Sequence, residues 1–537
     1  MSWSGWLLFI VIIQVIHFLG TWKLYVAAGR KAWEAAIPIY NAVVLMKIIN
    51  RPWWWTLLLF IPIVNLMMFP IVWVETIRSF GKHSSKDTWL VLLTLGLYIF
   101  YINYTEDLTH IKERSLTPRT GLGEWVSSIL FAVIAATVIH TYVMQPFTIP
   151  TSSLEKTLLV GDFLFVSKFH YGARTPMTPI ALPMMHDAIP TTKVKSYAPN
   201  PQLPYFRMPG FEEIERNDIV VFNWPIDEFQ DIGPPPSGYM YKPIDKKSNY
   251  VKRCVGIPGD SLEVRNGFVF INGKQNELPE RGRLQFAYKI QSKKVLTKVD
   301  AQGRLANQPS QFFSDRYGVS DMYPISVDQE TGVYTFVAHL TDEAYQQIKD
   351  HPDVISVTSA KSTADEVGSG IFPNDPQYGF NNDFFGPIYI PEAGKTVDIT
   401  AESIPFYKRI IEVYEGSEIG IENKITQNGT QVLLNGNVLT SYTFKMDYYW
   451  MMGDNRNNSQ DARSWGYVPF NHVVGKPVFV WMSWDSNAKG LDKIRWERLF
   501  TTVSGSGKPV SYFMYFLIAV AGYIVFNTFR KRKKAKA

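Results

Sequence analysis

Cysteine is almost absent. A single cysteine, Cys254, in 537 residues excludes an intramolecular disulfide framework and any CxxC-type zinc or redox site. Charge is scarce too: Asp, Glu, Lys and Arg make up 19% of the chain, against 15% aromatics. That balance excludes both a disordered chain and a coiled coil. The net charge of +6 is concentrated in one terminal tail, so no nucleic-acid-binding surface is implied. No HExxH string and no GxSxG string occurs, which leaves zinc-peptidase and nucleophile-elbow schemes without support.

What the chain does have is apolar runs at its two ends: residues 5–19, 53–74, 88–104, 125–143 and 512–529. A bilayer core about 30 Å thick needs about 20 such residues as helix. Five spans are therefore expected. The first lacks a basic leading region and a small-x-small exit, so it reads as a retained span rather than a cleaved signal. The second is interrupted by Pro62, Asn65 and Pro70, and the shorter 37–49 segment, with Lys47, covers the bundle or lies at the interface. The basic tail from Arg530 to Lys536 places the C-terminus inside, and the long body before it outside. Lys112, Arg114 and Arg119 then fall inside as they should, whereas five spans put Arg78, Lys82 and Lys86 outside, against the rule.

The body reads as β-structure. Residues 219–222 form a short buried-strand pattern, and Asn266-Gly267 and Asn435-Gly436 supply the positive φ of tight hairpin turns. Helices are expected only at 341–350 and 406–414. The proline-rich stretch 173–209 reads as an ordered surface excursion, and the mixed polar stretch 279–366 as an inserted subdomain.

Four short islands carry chemistry. Residues 145–162 begin where a span stops and hold Thr151-Ser152-Ser153, either an ordinary helix N-cap or a nucleophile turn. Residues 216–222 are a turn entering a buried strand. Residues 250–260 carry Lys252 inside an apolar run, either an edge lysine reaching water or an inward amine, which is costly unless paired or neutral. Residues 452–466 are densely polar. Asp454, Asn458 and Asp461 offer oxygens for calcium, but without EF-hand spacing, and a hydrogen-bonded catalytic turn is the other reading. Cys254 reads as a buried structural thiol.

Taken together and in this order, the islands resemble bacterial type I signal peptidase, a membrane-anchored serine protease with a Ser-Lys dyad. Asn381-Asn382-Asp383 with Phe385-Gly386-Pro387 adds to the likeness. The resemblance implies a membrane-anchored, mainly β protein. N-terminal transmembrane helices occupy 1–124, a transmembrane anchor 125–145, and a basic cytoplasmic tail 530–537 follows a C-terminal transmembrane helix at 511–529. Between them lies an extracytoplasmic all-β catalytic domain at 146–278 and 431–500, with an inserted subdomain at 279–430.

The resemblance further implies a nucleophile at Ser153, a general base at Lys252 and an orienting hydroxyl at Ser459. The oxyanion hole would combine the Ser153 amide with the Thr151 hydroxyl. Asp461 and Arg463 would form a supporting ion pair, with Asp454, Arg456 and Tyr250 fixing the surroundings. Phe147, Ile149, Leu154 and Val251 would line the substrate pockets. No metal and no cofactor are expected. The expected partners are signal peptides of exported preproteins, the lipid bilayer and the secretion translocon, with no nucleic acid, at the inner (plasma) membrane with the catalytic domain on the periplasmic side. Thr151, Ser152, Leu154, Lys156 and Ala462 depart from the family's usual Ser, Gly, Met, Pro and Ser. Two rival readings remain. Ser153 to Lys156 is also an S-x-x-K string, as in penicillin-recognising enzymes, though without K-T-G or S-D-N strings. A membrane-anchored scaffold that only binds exported chains is the other.

Overall fold

The computed structural model describes residues 3–536 except 119, 193, 227, 230–238 and 241, so Arg119 and Ala537 lie outside the described residues. The chain divides into two compact units, one comprising Met1–Val143, Arg174–Met208 and Met240–Lys247, the other the remainder.

The first unit is helical where it is apolar. Its long helices are Ser4–Ala27 and Gly121–Val143, of 24 and 23 residues. At 1.5 Å per residue each is about 35 Å long, enough to cross a bilayer. Leu7, Ile10, Leu122 and Phe131 on them face outward, an arrangement that only lipid or another apolar surface makes stable.

The expectation of five straight spans is corrected between these two helices. Residues 53–74 split into Trp55–Leu58 and Val64–Ser79 on either side of Pro62, because proline donates no amide and clashes with the preceding turn. Residues 88–104 split into Ser85–Leu93 and Tyr98–Thr105, bent by 119°. The bend centres on Gly96, whose φ of +88° suits glycine and where a Cβ would strike the Trp73 ring. The 37–49 segment becomes the helix Tyr40–Ile48, which buries Val44, Met46 and Ile48 in the unit's core and so covers the bundle. Inside that unit Glu75 is shared by two guanidiniums, Arg51 at 3.1 Å and Arg114.

The proline-rich stretch has little regular structure, as expected. It is tied down by Asp245, which accepts from the Thr178 amide and hydroxyl at 3.0 and 2.7 Å, and by the Lys242–Asp187 pair at 2.6 Å. It belongs with the helical unit, so the continuous catalytic stretch expected over 146–278 is interrupted there.

The second unit is built on an antiparallel sheet. Its strand order is Met144–Thr148, Asp162–Ser167, Val473–Ser483, Ile219–Asn223, Asn249–Gly256, Tyr448–Met452, Val468–Pro469, with Thr501–Thr502 added to the long strand. Strand Asn249–Gly256 is interior, flanked on both sides and almost wholly buried toward its end. The second sheet contains the expected hairpin, Ser261–Arg265 to Phe268–Ile271, with Asn266 and Gly267 at φ +49° and +82°.

The insertion is narrower than the expected 279–430. Four strands, Met322–Val327, Tyr334–Leu340, Phe286–Ser292 and Val354–Ser359, form their own sheet around Phe286, Ile290, Phe313, Phe336 and Ile348. Phe385–Tyr389 instead pairs with Ser261–Arg265, because Phe385 and Ile388 bury beside Leu262 and Val264 in the main core. The two expected helices in the body appear as Asp342–Lys349 and Ile404–Arg409, the latter continued by a wider turn through Tyr414. The chain closes on the helix Phe513–Lys536, of which Phe513–Arg532 is apolar enough to span. Substantial β-sheet and three candidate membrane helices make this a membrane-anchored β protein.

Candidate active site

The island after the membrane helix becomes the strand Met144–Thr148 and then one tight helical turn, Ser152–Leu154. Thr151 precedes the turn in extended conformation and is exposed. Ser153 is 6% exposed and Lys252, on the interior strand, 3%. The Lys252 Nζ donates to the Ser153 Oγ at 2.5 Å. The edge-lysine reading of position 252 is thereby set aside. Burial pushes the Lys252 ammonium down from 10.5 to about 8. Asp461 and Asp454 oppose that fall, and Arg463 adds to it. The Tyr250 ring lies 6.0 Å from the Nζ and stacks on Trp224 at 4.2 Å, so the amine's neighbourhood is aromatic.

The polar island 452–466 folds against this pair. The Asn455 amide donates to the Ser153 carbonyl at 3.0 Å, and the Asn455 side chain to the Ser152 carbonyl at 3.2 Å. Asp461 takes two bonds from the Arg463 guanidinium, 2.8 and 2.7 Å, plus the amides of Arg463 at 3.3 Å and Gly453 at 3.1 Å. The expected ion pair is present, and Arg463 reaches on to the carbonyls of Asn382 and Arg456. Gly453 has no room for a side chain: a Cβ there would collide with Ser459 and with the Ser153 carbonyl. Ser459 is therefore packed beside the turn, and its buried Oγ has no partner among the described residues.

Asp454 is held by residues outside the turn. Arg253, the neighbour of Lys252, grips it with bonds of 2.7 and 2.6 Å, and Thr157 donates a third at 2.6 Å. The guanidinium holds the Asp454 carboxyl below the usual range despite complete burial, and Arg463 does the same for Asp461. Arg456 bonds the Gly267 carbonyl at 3.0 Å, and burial together with the Arg463 charge pulls it down to about 10. Both carboxylates are thus occupied by guanidinium, which removes the calcium reading of this turn.

Of the remaining expected residues, Phe147 and Val251 are half-buried and pack against Val166, Val221 and Val474. Ile149 and Leu154 are buried with Leu158, Leu164 and Ile219. Cys254 is fully buried, its thiol donates to the Gly256 carbonyl, and burial pushes its pKa up, as for a structural thiol. Lys156 pairs with Glu155 at 4.0 Å, and its amine lies near Gly318 of the insertion.

Arg253, Thr157, Asn455, Gln285 and Asp321 were not singled out from the sequence. Arg253 could have been, since it adjoins Lys252 in a buried strand. Gln285 and Asp321 come from the insertion and carry no local signal.

A serine hydroxyl facing a dry amine, with ion pairs bracing the turn behind it, has the makings of a serine hydrolase that uses an amine base. Sequence comparison agrees with that class. The model of the signal peptidase, peptidase S26, family matches residues 122–313 and 388–484, more than half of the 537 residues. A family of unknown function matches residues 33–113. The chain is 24% identical to signal peptidase I of Buchnera aphidicola subsp. Acyrthosiphon pisum over 354 residues, 66% of this chain and 73% of that protein. It is 29% identical to signal peptidase I of Rickettsia akari over 237 residues, 43% of this chain and 73% of that one. With the Haemophilus influenzae signal peptidase I it shares 21% over 405 residues, 74% and 80%. The chain belongs to the signal peptidase family, and is a membrane-associated serine endopeptidase that removes signal peptides.

Proposed function

We propose that Ser153 is the nucleophile of this peptidase and Lys252 its general base. One observation carries the assignment: a nearly inaccessible Lys252 amine 2.5 Å from the Ser153 hydroxyl. With its pKa near 8, about a tenth of Lys252 is neutral at pH 7, enough to accept the hydroxyl proton as Ser153 attacks the scissile carbonyl. The ester to Ser153 that forms is then opened by water, which Lys252 deprotonates in turn. Ser459, packed beside Gly453, is the hydroxyl assigned to orient the amine, toward which its unpartnered Oγ would have to turn. The Ser153 amide and the Thr151 hydroxyl receive the developing oxyanion, where loss of one donor costs about 10²–10³ in rate. Asp461 with Arg463, and Asp454 with Arg253, hold the turn and strand in place, and Arg456 and Tyr250 pack around them.

The substrate is the extended junction after a signal peptide's apolar region. Met144–Thr148 is a terminal strand of its sheet, which suits addition of a peptide strand. Phe147, Ile149, Leu154 and Val251 would wall two shallow pockets, leaving room for small residues only.

The broken helices favour a simpler topology. With three spans, residues 28–120 form one inner segment. It collects Arg30, Lys31, Arg51, Arg78, Lys82, Lys86, Lys112 and Arg114, and the conflict that five spans create at Arg78, Lys82 and Lys86 disappears. The basic tail is then cytoplasmic and the catalytic domain faces outward at the plasma membrane, against the lipid surface and beside the translocon. The division of the chain into membrane region, interrupted β core and insertion follows from the same reading.

The test is cleavage of one preprotein by wild type, Ser153→Ala, Lys252→Ala and Lys156→Ala side by side. Loss in the first two and retention in the third is expected. Cleavage by Ser153→Ala would overturn the assignment, and binding without cleavage by wild type would favour a scaffold.

A further inference from the structure

The insertion touches the nucleophile turn through one carboxylate. Asp321 stands at the start of the strand Met322–Val327, and its carbonyl accepts from the His339 amide on the neighbouring strand at 3.2 Å. Its carboxylate accepts from two asparagine side chains of the polar turn, Asn455 at 3.2 Å and Asn458 at 3.3 Å. Each of those amides also donates to the residue before the nucleophile: Asn455 to the Ser152 carbonyl at 3.2 Å, Asn458 to the Ser152 hydroxyl at 3.1 Å. A side-chain amide has two hydrogens. The carboxylate takes one from each asparagine and so fixes the direction of the other toward Ser152.

The insertion's second contact keeps Asp321 in register. Gln285 lies alongside Asn455: its amide donates to the Asp454 carbonyl at 3.0 Å, and its carbonyl accepts from the Arg456 amide at 2.9 Å. The Gln285 side chain then donates to the His339 carbonyl at 3.1 Å, closing a loop through the strand that holds Asp321. Lys156 supplies a nearby positive charge to Asp321.

We infer that Asp321 is a positioning residue: it sets the Ser152–Ser153 turn through Asn455 and Asn458, so that the insertion is part of the catalytic apparatus and not only an appendage. This rests on the reading of Ser153 as nucleophile. Asp321 acts on where the hydroxyl stands and leaves the basicity of Lys252, whose charged neighbours are Asp461, Asp454 and Arg463, unchanged. A misplaced nucleophile lowers the rate of the chemical step without weakening substrate binding.

The experiment uses the full-length protein in detergent with one preprotein. Asp321→Ala is expected to lower kcat roughly 10- to 100-fold, with KM and the pH midpoint unchanged. Asp321→Asn retains one acceptor oxygen and should recover most of the lost rate. Asn458→Ala combined with Asp321→Ala should be no worse than the poorer single variant, because both break the same relay. Unchanged kcat in Asp321→Ala overturns the inference. So does a rise in KM alone, a loss of rate that only tracks a lower melting temperature, or full additivity in the double variant. Ser153→Ala run in parallel separates the two levels. If it is inactive while Asp321→Ala is fully active, only the positioning role fails. If it cleaves, the nucleophile assignment falls and the positioning role with it.

Discussion

Two lysines lie within a few residues of the same chemistry and meet opposite environments. Lys252 sits on an interior strand, 3% exposed, with a serine hydroxyl as its contact and its carboxylates already held by arginine. Lys156 sits in the turn after Ser153 and shares its surroundings with Glu155 and Asp321. Burial lowers both, but the nearby carboxylates of Lys156 act to keep it charged. A lysine becomes a base where the fold excludes water and spends the neighbouring negative charge elsewhere. The guanidiniums of Arg253 and Arg463 do that spending. Without them Asp454 and Asp461 would stabilise the ammonium more strongly than they already do.

The sharpest way to break this contrast is to exchange the roles. Lys252→Ala should lose roughly 10⁴-fold or more in cleavage, as removal of one member of a catalytic unit does. A preprotein assay showing ordinary cleavage would refute it.

The arginine side of the comparison is tested by stability. Arg253→Ala leaves Asp454 buried and unpaired, and should destabilise the catalytic unit by about 3–5 kcal/mol in chemical denaturation. The loss should be largest near neutral pH and shrink in acid as Asp454 is protonated.

The acid–base state of Lys252 gives two linked outcomes. Cleavage should rise about tenfold per pH unit below the Lys252 midpoint, and level off above about pH 8. For stability the sign follows from the depressed folded value. Between about 8 and 10.5 the unfolded chain holds a proton that the folded one has released, so stability rises with pH in that window. Below it the buried ammonium costs about 3 kcal/mol. Lys252→Met should therefore be inactive yet more stable than wild type at pH 7, by up to that amount, with the advantage gone near pH 10. Equal stability at pH 7 would contradict a strained lysine. The smallest effect belongs to Lys156→Ala, a change in cleavage of less than about threefold, since exposed or partly exposed charge pairs contribute little.

The helical region offers a second contrast with the β core in how far pattern reading carries. Asn266-Gly267 and Asn435-Gly436 marked their turns because only certain residues take positive φ, and that rule is local. Gly96 obeys the same rule, yet its bend is hidden inside an apolar run that looks continuous by composition. The partner of Asp454 was hidden for a different reason. That partner is Arg253, 201 positions away in the chain, and no local spacing connects the two.

The chain's residues alone were enough to announce a greasy, anchored molecule, to mark the four islands, and to point at Ser153 and Lys252 through a family likeness. Those are matters of composition, turn chemistry and short spacing, which a linear string preserves. Which amine meets the hydroxyl, which arginine neutralises which carboxylate, and that Asp321 reaches Asn455 and Asn458 were decided by strand pairing between segments far apart in sequence. Burial and charge partnership belong to the packed interior, and these set the lysine's proton affinity.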